Sequence, residues 1–173
     1  MNICSSVVNK KNMIIKKNLF TPNKLSYVRG NKPKVDCILC SVVKKDKKVD
    51  NLVVFEGKKL FVTLNLYPYN PGHLMIFPKR HIEHIKKLQR NEWNELYDLQ
   101  LKCINILDKV YQPQGYNLGF NIGKSGGASI PHIHFHIIPR YLNEIGIVEI
   151  MSDARLIVEN PNDTLKKLKK YFK

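Results

Sequence analysis

Three apolar runs, at 52–55, 60–65 and 73–77, are rich in branched and aromatic residues and are separated by turn formers. Glu56-Gly57-Lys58 joins the first two as a hairpin, and Pro68, Asn70, Pro71 and Gly72 make the loop before the third, which stops at Pro78. From Asn91 the period lengthens. Trp93, Leu96, Tyr97, Leu101, Ile104, Leu107 and Tyr111 fall on one face at helical spacing, with Asn91 as N-cap and Pro113 and Gly115 as the stop. A strand over 116–122, a Gly/Ser-rich loop over 123–129 and a strand over 130–138 follow. The chain then offers a short strand at 156–158 and a basic helix from about Asp163, with Leu165, Leu168 and Phe172 on one side. There is no internal repeat. This order predicts an α+β fold, an antiparallel sheet with helices set against it.

The 173 residues suffice for one domain with a hydrophobic core, and 43% hydrophobic with 25% charged residues is ordinary for a globular protein. No run approaches the roughly 18 apolar residues that cross a bilayer, and the N-terminus lacks a secretory apolar block. The expectation is a cytoplasmic protein with no membrane partner. Residues 1–35 carry no acid and several lysines; 1–18 reads as a disordered basic extension, and 19–173 as a single catalytic domain with its core over 37–145. Met13 is an alternative start.

The net charge of +15 raises the question of a nucleic-acid surface. Lysines here are scattered and accompanied by abundant Asn and scarce Arg, a compositional bias rather than a designed groove, so no dedicated nucleic-acid partner is expected. The positive field would still draw anionic nucleotides inward.

All six histidines fall in two clusters, His73, His81 and His84, then His132, His134 and His136. In the second cluster the imidazoles alternate with Ile133, Phe135 and Ile137, so in a strand the three rings share one face while the apolar residues enter the core. A merely polar strand face and a histidine-only metal site are the competing explanations. The Gly-Lys-Ser-Gly-Gly-Ala-Ser loop just upstream favours chemistry, because its backbone N–H groups and the Ser129 hydroxyl can cradle a phosphate beside the rings. Of the four cysteines, Cys37 and Cys40 form a C-x-x-C pair, Cys103 reads as a buried helix residue and Cys4 as a tail thiol.

The run His132-Ile133-His134-Phe135-His136-Ile137-Ile138 resembles the signature of the histidine triad (HIT) superfamily, H-x-H-x-H followed by apolar residues. The run from Leu64 to His73, with Pro78-Lys79-Arg80-His81, looks like the same superfamily, particularly its bacterial and archaeal branch that includes diadenosine tetraphosphate phosphorylases. The resemblance implies a five-stranded antiparallel sheet with one long and one or more short helices. It also implies attack on an α-phosphorus by His134 through a covalent nucleotidyl-histidine, a route by which one hard displacement becomes two easier ones. His136 would stabilise transferring charge, aided by Gly127 and Ser129, with Asn65 at the ribose and Asn121 at a phosphate. Triad hydrolases of the fragile-histidine type carry Gln just before the loop Ser/Thr. Here Ala128 stands there, and the room it leaves favours inorganic phosphate as acceptor, hence phosphorolysis to ADP and ATP.

The same resemblance implies structural zinc on Cys37, Cys40, His81 and His132, with His84 in reserve, since thiolate and imidazole suit a tetrahedral site. Two reduced, unmetallated cysteines are the plainer alternative. A homodimer or higher oligomer is implied in the same way. Other functions stay open: hydrolysis of dinucleoside polyphosphates or phosphoramidates, a nucleotide-binding module with vestigial chemistry, or adenylate removal from DNA ends. The last is weakened because no Cys or His follows Tyr141 to build a finger.

Overall fold

A computed structural model describes residues 33–142 and 159–172. The N-terminal extension, Cys4 and the strand expected at 156–158 lie outside the described residues. Five strands, β1 (Val53–Glu56), β2 (Leu60–Leu64), β3 (Leu74–Pro78), β4 (Gly115–Phe120) and β5 (Phe135–Arg140), form one antiparallel sheet in the order β1-β2-β3-β5-β4. Among the described residues three α-helices accompany it: α1 (Ile38–Val43), α2 (Arg90–Tyr111) and α3 (Pro161–Lys169). The α+β, five-stranded expectation is met.

Every residue of β2 and β3 is buried, because the period of two sends alternate side chains to two covered faces. On one face Leu60, Val62, Leu64, Leu74, Ile76, Phe135 and Ile137 pack with α2 and with Leu168 and Phe172 of the α3 region. On the other, Phe61 and Phe77 stack at 5.8 Å and join Leu39 and Val42 of α1. The chain thus makes two unequal layers over its sheet. The second layer covers only part of its face, and the candidate site occupies the rest.

Several boundaries differ from the sequence reading for identifiable reasons. Helix α2 starts at Arg90 rather than after Asn91, because the Glu92 carboxylate turns back to accept from the Gln89 N–H at 2.8 Å. It ends where Gln112 adopts a left-handed conformation. Its buried stripe is Leu96, Leu99, Cys103, Ile106 and Leu107. Trp93, Tyr97 and Leu101, expected inside, are 38%, 62% and 43% exposed, so the true face is rotated from the one inferred. Helix α3 begins two residues early, at Pro161, behind Asn160, whose side chain accepts from the Asn162 N–H at 2.9 Å.

Strand β5 is shorter at its start than the expected 130–138. The β3–β5 ladder runs only from Leu74 opposite Ile137 to Ile76 opposite Phe135, and Pro78 has no N–H with which to extend it. Residues 130–134 therefore lie outside the ladder, with the chain bending at 130–132. At its other end β5 continues through Pro139, where β3 no longer pairs with it.

Candidate functional site

His136 lies on β5 opposite Met75 of β3, and Met75 in turn lies opposite Thr63 of β2. All three point to the partly covered sheet face and line a cavity of about 540 Å³. His134, Asn65, Asn121, Gly127 and Ser129 line it too, so the structure brings together every residue that sequence reading assigned to the nucleotide. The volume is in the range of roughly 300–1,000 Å³ typical of small-molecule sites. The far end is apolar, walled by Ile38, Leu39, Val42, Val49 and Leu52, a surface suited to a planar base. Sequence reading missed this wall, because the C-x-x-C spacing draws attention to Cys37 and Cys40 rather than to Ile38 and Leu39 between them, and Val42, Val49 and Leu52 carry no motif.

The loop between β4 and β5 bends through Gly123 and Gly127, whose φ values of 71° and 83° suit glycine. The N–H groups of Gly126, Gly127 and Ala128 bond within the loop, to the carbonyls of Gly123, Lys124 and Gly123 at 3.2, 3.0 and 3.1 Å. These three amides shape the loop. Asn121, Gly127 and Ser129 are what this region presents to the cavity.

Hydrogen bonds assign the histidine tautomers. The Nδ1 of His134 lies 2.7 Å from the His132 carbonyl oxygen, which only accepts, so Nδ1 carries the proton and Nε2 keeps its lone pair. His73, fully buried, accepts at Nδ1 from the Tyr69 N–H at 3.2 Å, with the Asn65 amide also within 3.4 Å. Its Nε2–H therefore donates to Nδ1 of His136 at 2.9 Å, leaving the His136 proton on Nε2. That Nε2 is buried and has no hydrogen-bond partner among the described residues. A buried, unpaired donor beside an available imidazole lone pair is costly without a ligand and fits an anion.

Burial dominates the electrostatics here. It pushes His73 down to about 3 and His136 to about 4, reinforced by the neighbouring imidazoles. Burial lowers His134 as well, opposed by its bond to the His132 carbonyl. Neutral rings at pH 7 follow. His73 belongs to this chain of bonds, yet sequence reading gave it no role; its signal was its place at the end of the Leu64-to-His73 run.

The four remaining site residues meet on the same sheet face. His132 donates from Nε2 to the Pro78 carbonyl at 2.9 Å, which turns Nδ1 toward Cys37 Sγ at 3.4 Å and Cys40 Sγ at 3.5 Å. His81 Nδ1 lies 3.3 Å from Cys40 Sγ, and all four candidate ligand atoms fall within 4.8 Å of one another. A tetrahedral cation with Zn–S near ~2.3 Å and Zn–N near ~2.0 Å has S···N edges of about 3.5 Å, so the donor set and its spacing fit such an ion. His84 stands apart, capping a short 3₁₀ turn by accepting from the Lys86 N–H at 3.2 Å. Cys103 is buried in α2, as expected. No helix among the described residues is long and apolar enough to cross a membrane.

Comparison with known proteins agrees with this geometry. The AP-4-A phosphorylase of Mycobacterium tuberculosis is 38% identical over 116 residues, 66% of this chain and 60% of that protein. This chain thus matches about three fifths of that relative's length. The asymmetrical bis(5'-nucleosyl)-tetraphosphatase of Schizosaccharomyces pombe is 33% identical over 92 residues, 53% of this chain and 50% of that protein. Among solved structures, a Zn-bound histidine triad family protein from Mycobacterium smegmatis superposes with a TM-score of 0.65 at 18% identity, covering 79% of this chain and 93% of that one. The HIT domain model matches residues 46–143, more than half the sequence and every strand of the sheet, and the chain therefore belongs to the HIT family.

Proposed function

We infer that the protein is a nucleotidyl-transfer enzyme acting on dinucleoside polyphosphates, with phosphorolysis of diadenosine tetraphosphate to ADP and ATP as its reaction. The supporting observation is the pairing of an unprotonated His134 Nε2 with the unpartnered His136 Nε2–H in one cavity. In the first step the His134 lone pair attacks the α-phosphorus. The bond to the bridging oxygen breaks with its electron pair, ATP leaves and adenylate remains on the ring. His136 donates to the phosphoryl oxygens as charge moves onto them, with Asn121 and Ser129 beside it and Asn65 at the ribose. In the second step an oxygen of inorganic phosphate attacks the same phosphorus, the P–N bond breaks back to His134, and ADP leaves.

The M. tuberculosis relative's name and the small Ala128 beside Ser129 support phosphate as the acceptor. Incubation with diadenosine tetraphosphate decides it. ADP plus ATP, appearing only with phosphate, is expected; AMP plus ATP without phosphate would make the protein a hydrolase, as the S. pombe relative is named. No turnover under either condition would leave a nucleotide-binding module.

Cys37, Cys40, His81 and His132 are proposed to hold structural zinc, in keeping with their spacing and with the Zn-bound M. smegmatis structure. These four residues would hold zinc as a structural ion, tying α1 to the chain entering β5. Metal analysis of the purified protein should return one zinc per chain; a metal-free protein of full stability would contradict this assignment.

A further inference from the structure

His132 does two jobs with two different atoms. Its ring faces the cysteines, while its backbone oxygen is the acceptor that fixes the proton of His134 on Nδ1, 2.7 Å away. What holds that oxygen in place is unusual. Residues 130–134 precede β5 and have no strand partner, since β3 pairs with β5 only as far as Phe135. The segment is anchored instead by the Ile133 N–H to Ile82 carbonyl bond at 2.7 Å, the His132 Nε2–H to Pro78 carbonyl bond at 2.9 Å, and the His132 ring in the cysteine cluster. These polar anchors lead to one stretch, 78–82, which also carries His81, or to the cluster itself, while the His132 ring also rests edge-on against Phe77.

We propose that the Cys37–Cys40–His81–His132 cluster, when it holds its cation, is a positioning device for the nucleophile. By clamping His132 it keeps that carbonyl against His134 Nδ1, so that the lone pair stays on Nε2 in the cavity. This rests on the reading of His134 as nucleophile and of the cluster as a zinc site. The Cys and His ligands then act on the reaction through the His132 backbone and touch no substrate. Without the clamp, the His132 carbonyl loses its fixed direction and neutral His134 divides between its two tautomers, of which only one presents a lone pair to phosphorus. Asn65 and Asn121 sit on other segments, whereas Ser129 adjoins the clamped stretch and the apolar wall of the cavity shares α1 with Cys40, so nucleotide binding weakens as well and the tautomer is the deciding readout.

The test uses the full chain labelled with ¹⁵N-histidine, held at one pH and kept reduced. Long-range ¹H–¹⁵N spectra report each ring's tautomer, alongside zinc content, kcat and KM. Zinc-loaded protein should show His134 as the pure Nδ1–H form. Removing zinc with a chelator should mix the forms and lower kcat by at least about tenfold, and added zinc should restore both. A pure Nδ1–H spectrum and full kcat after zinc removal would overturn the proposal. Should stripping unfold the chain, His81→Ala keeps three ligands and allows a zinc titration of folded protein. There the Nδ1–H fraction must rise in step with occupancy, and a fraction independent of zinc refutes the idea. The two layers fail separately: nucleotide trapped on His134 with a zinc-independent tautomer sinks only the clamp, whereas a zinc-dependent tautomer with no trapped nucleotide sinks only the nucleophile.

Discussion

Replacing His73 with phenylalanine keeps a planar ring against Tyr69, which now stacks on the imidazole at 5.5 Å, and removes both of its polar atoms. Two partners lose their bonds: the part-buried Tyr69 N–H, now donating at 3.2 Å, and the buried Nδ1 of His136, now accepting at 2.9 Å. Leaving a buried polar group unsatisfied costs about 1–3 kcal/mol, so His73→Phe should destabilise by ~1–3 kcal/mol. The kinetic effect follows from the tautomer. Once His73 no longer donates to Nδ1, His136 can carry its proton there, and Nε2 then has nothing to give a phosphoryl oxygen. Loss of one such donor typically costs on the order of 10²–10³ in kcat, with KM little altered.

A double-mutant cycle isolates the route. His136→Ala should cost a similar factor, and adding His73→Phe to it should cost little more, because the two substitutions break one chain of bonds. Stability against pH supplies an independent readout. Burial pushes His73 down to about 3, whereas in the unfolded chain it titrates near ~6.5. Between those values the unfolded chain binds the proton that the fold refuses, so stability falls as pH drops from about 6.5 toward 3. His73→Phe should flatten that acid limb in urea titrations. Additive losses in the cycle, or an unchanged acid limb, would refute the assignment of His73 as the residue that orients His136.

Gly72 adopts φ +80°, and a Cβ there would meet Leu107 Cδ2 at 2.9 Å, so Gly72→Ala combines backbone strain with overpacking. Urea unfolding should show a loss of about 2–4 kcal/mol at unchanged m, and a loss below ~1 kcal/mol would contradict that packing. Glu92 is 2% exposed and accepts from Arg80 Nε at 2.7 Å, and the Arg80 hydrogen bond holds its carboxyl below the usual carboxylate range. Its contribution is complete above the ordinary carboxylate pKa and fades as pH falls through the lowered native one. Glu92→Gln should cost about 2 kcal/mol at pH 7 and nothing once the Glu92 carboxyl is protonated in both the folded and the unfolded chain; a cost independent of pH would assign the effect to packing instead.

The sequence made the chemistry more legible than the packing. His132, His134 and His136 reveal themselves by alternation, and Cys37 and Cys40 by spacing, because short-range geometry maps onto residue number. The buried stripe of α2 was harder to read, since Trp93, Tyr97 and Leu101 offer a second apolar row one rotation away. Which row faces inward is decided by the sheet. The start of β5 eluded reading for a related reason: 130–134 alternates like a strand, but the partner strand gives out at Pro78. Likewise, His73 meets His136 from 63 residues away, a contact no local pattern encodes.

The measurement closest to the central claim mixes the protein with diadenosine tetraphosphate, quenches within a turnover and maps the modified peptide by mass spectrometry. Adenylate mass on His134, absent from His134→Ala together with turnover, is the expected result. Substrate consumed at full rate by His134→Ala, or adenylate found on a different residue, would contradict it.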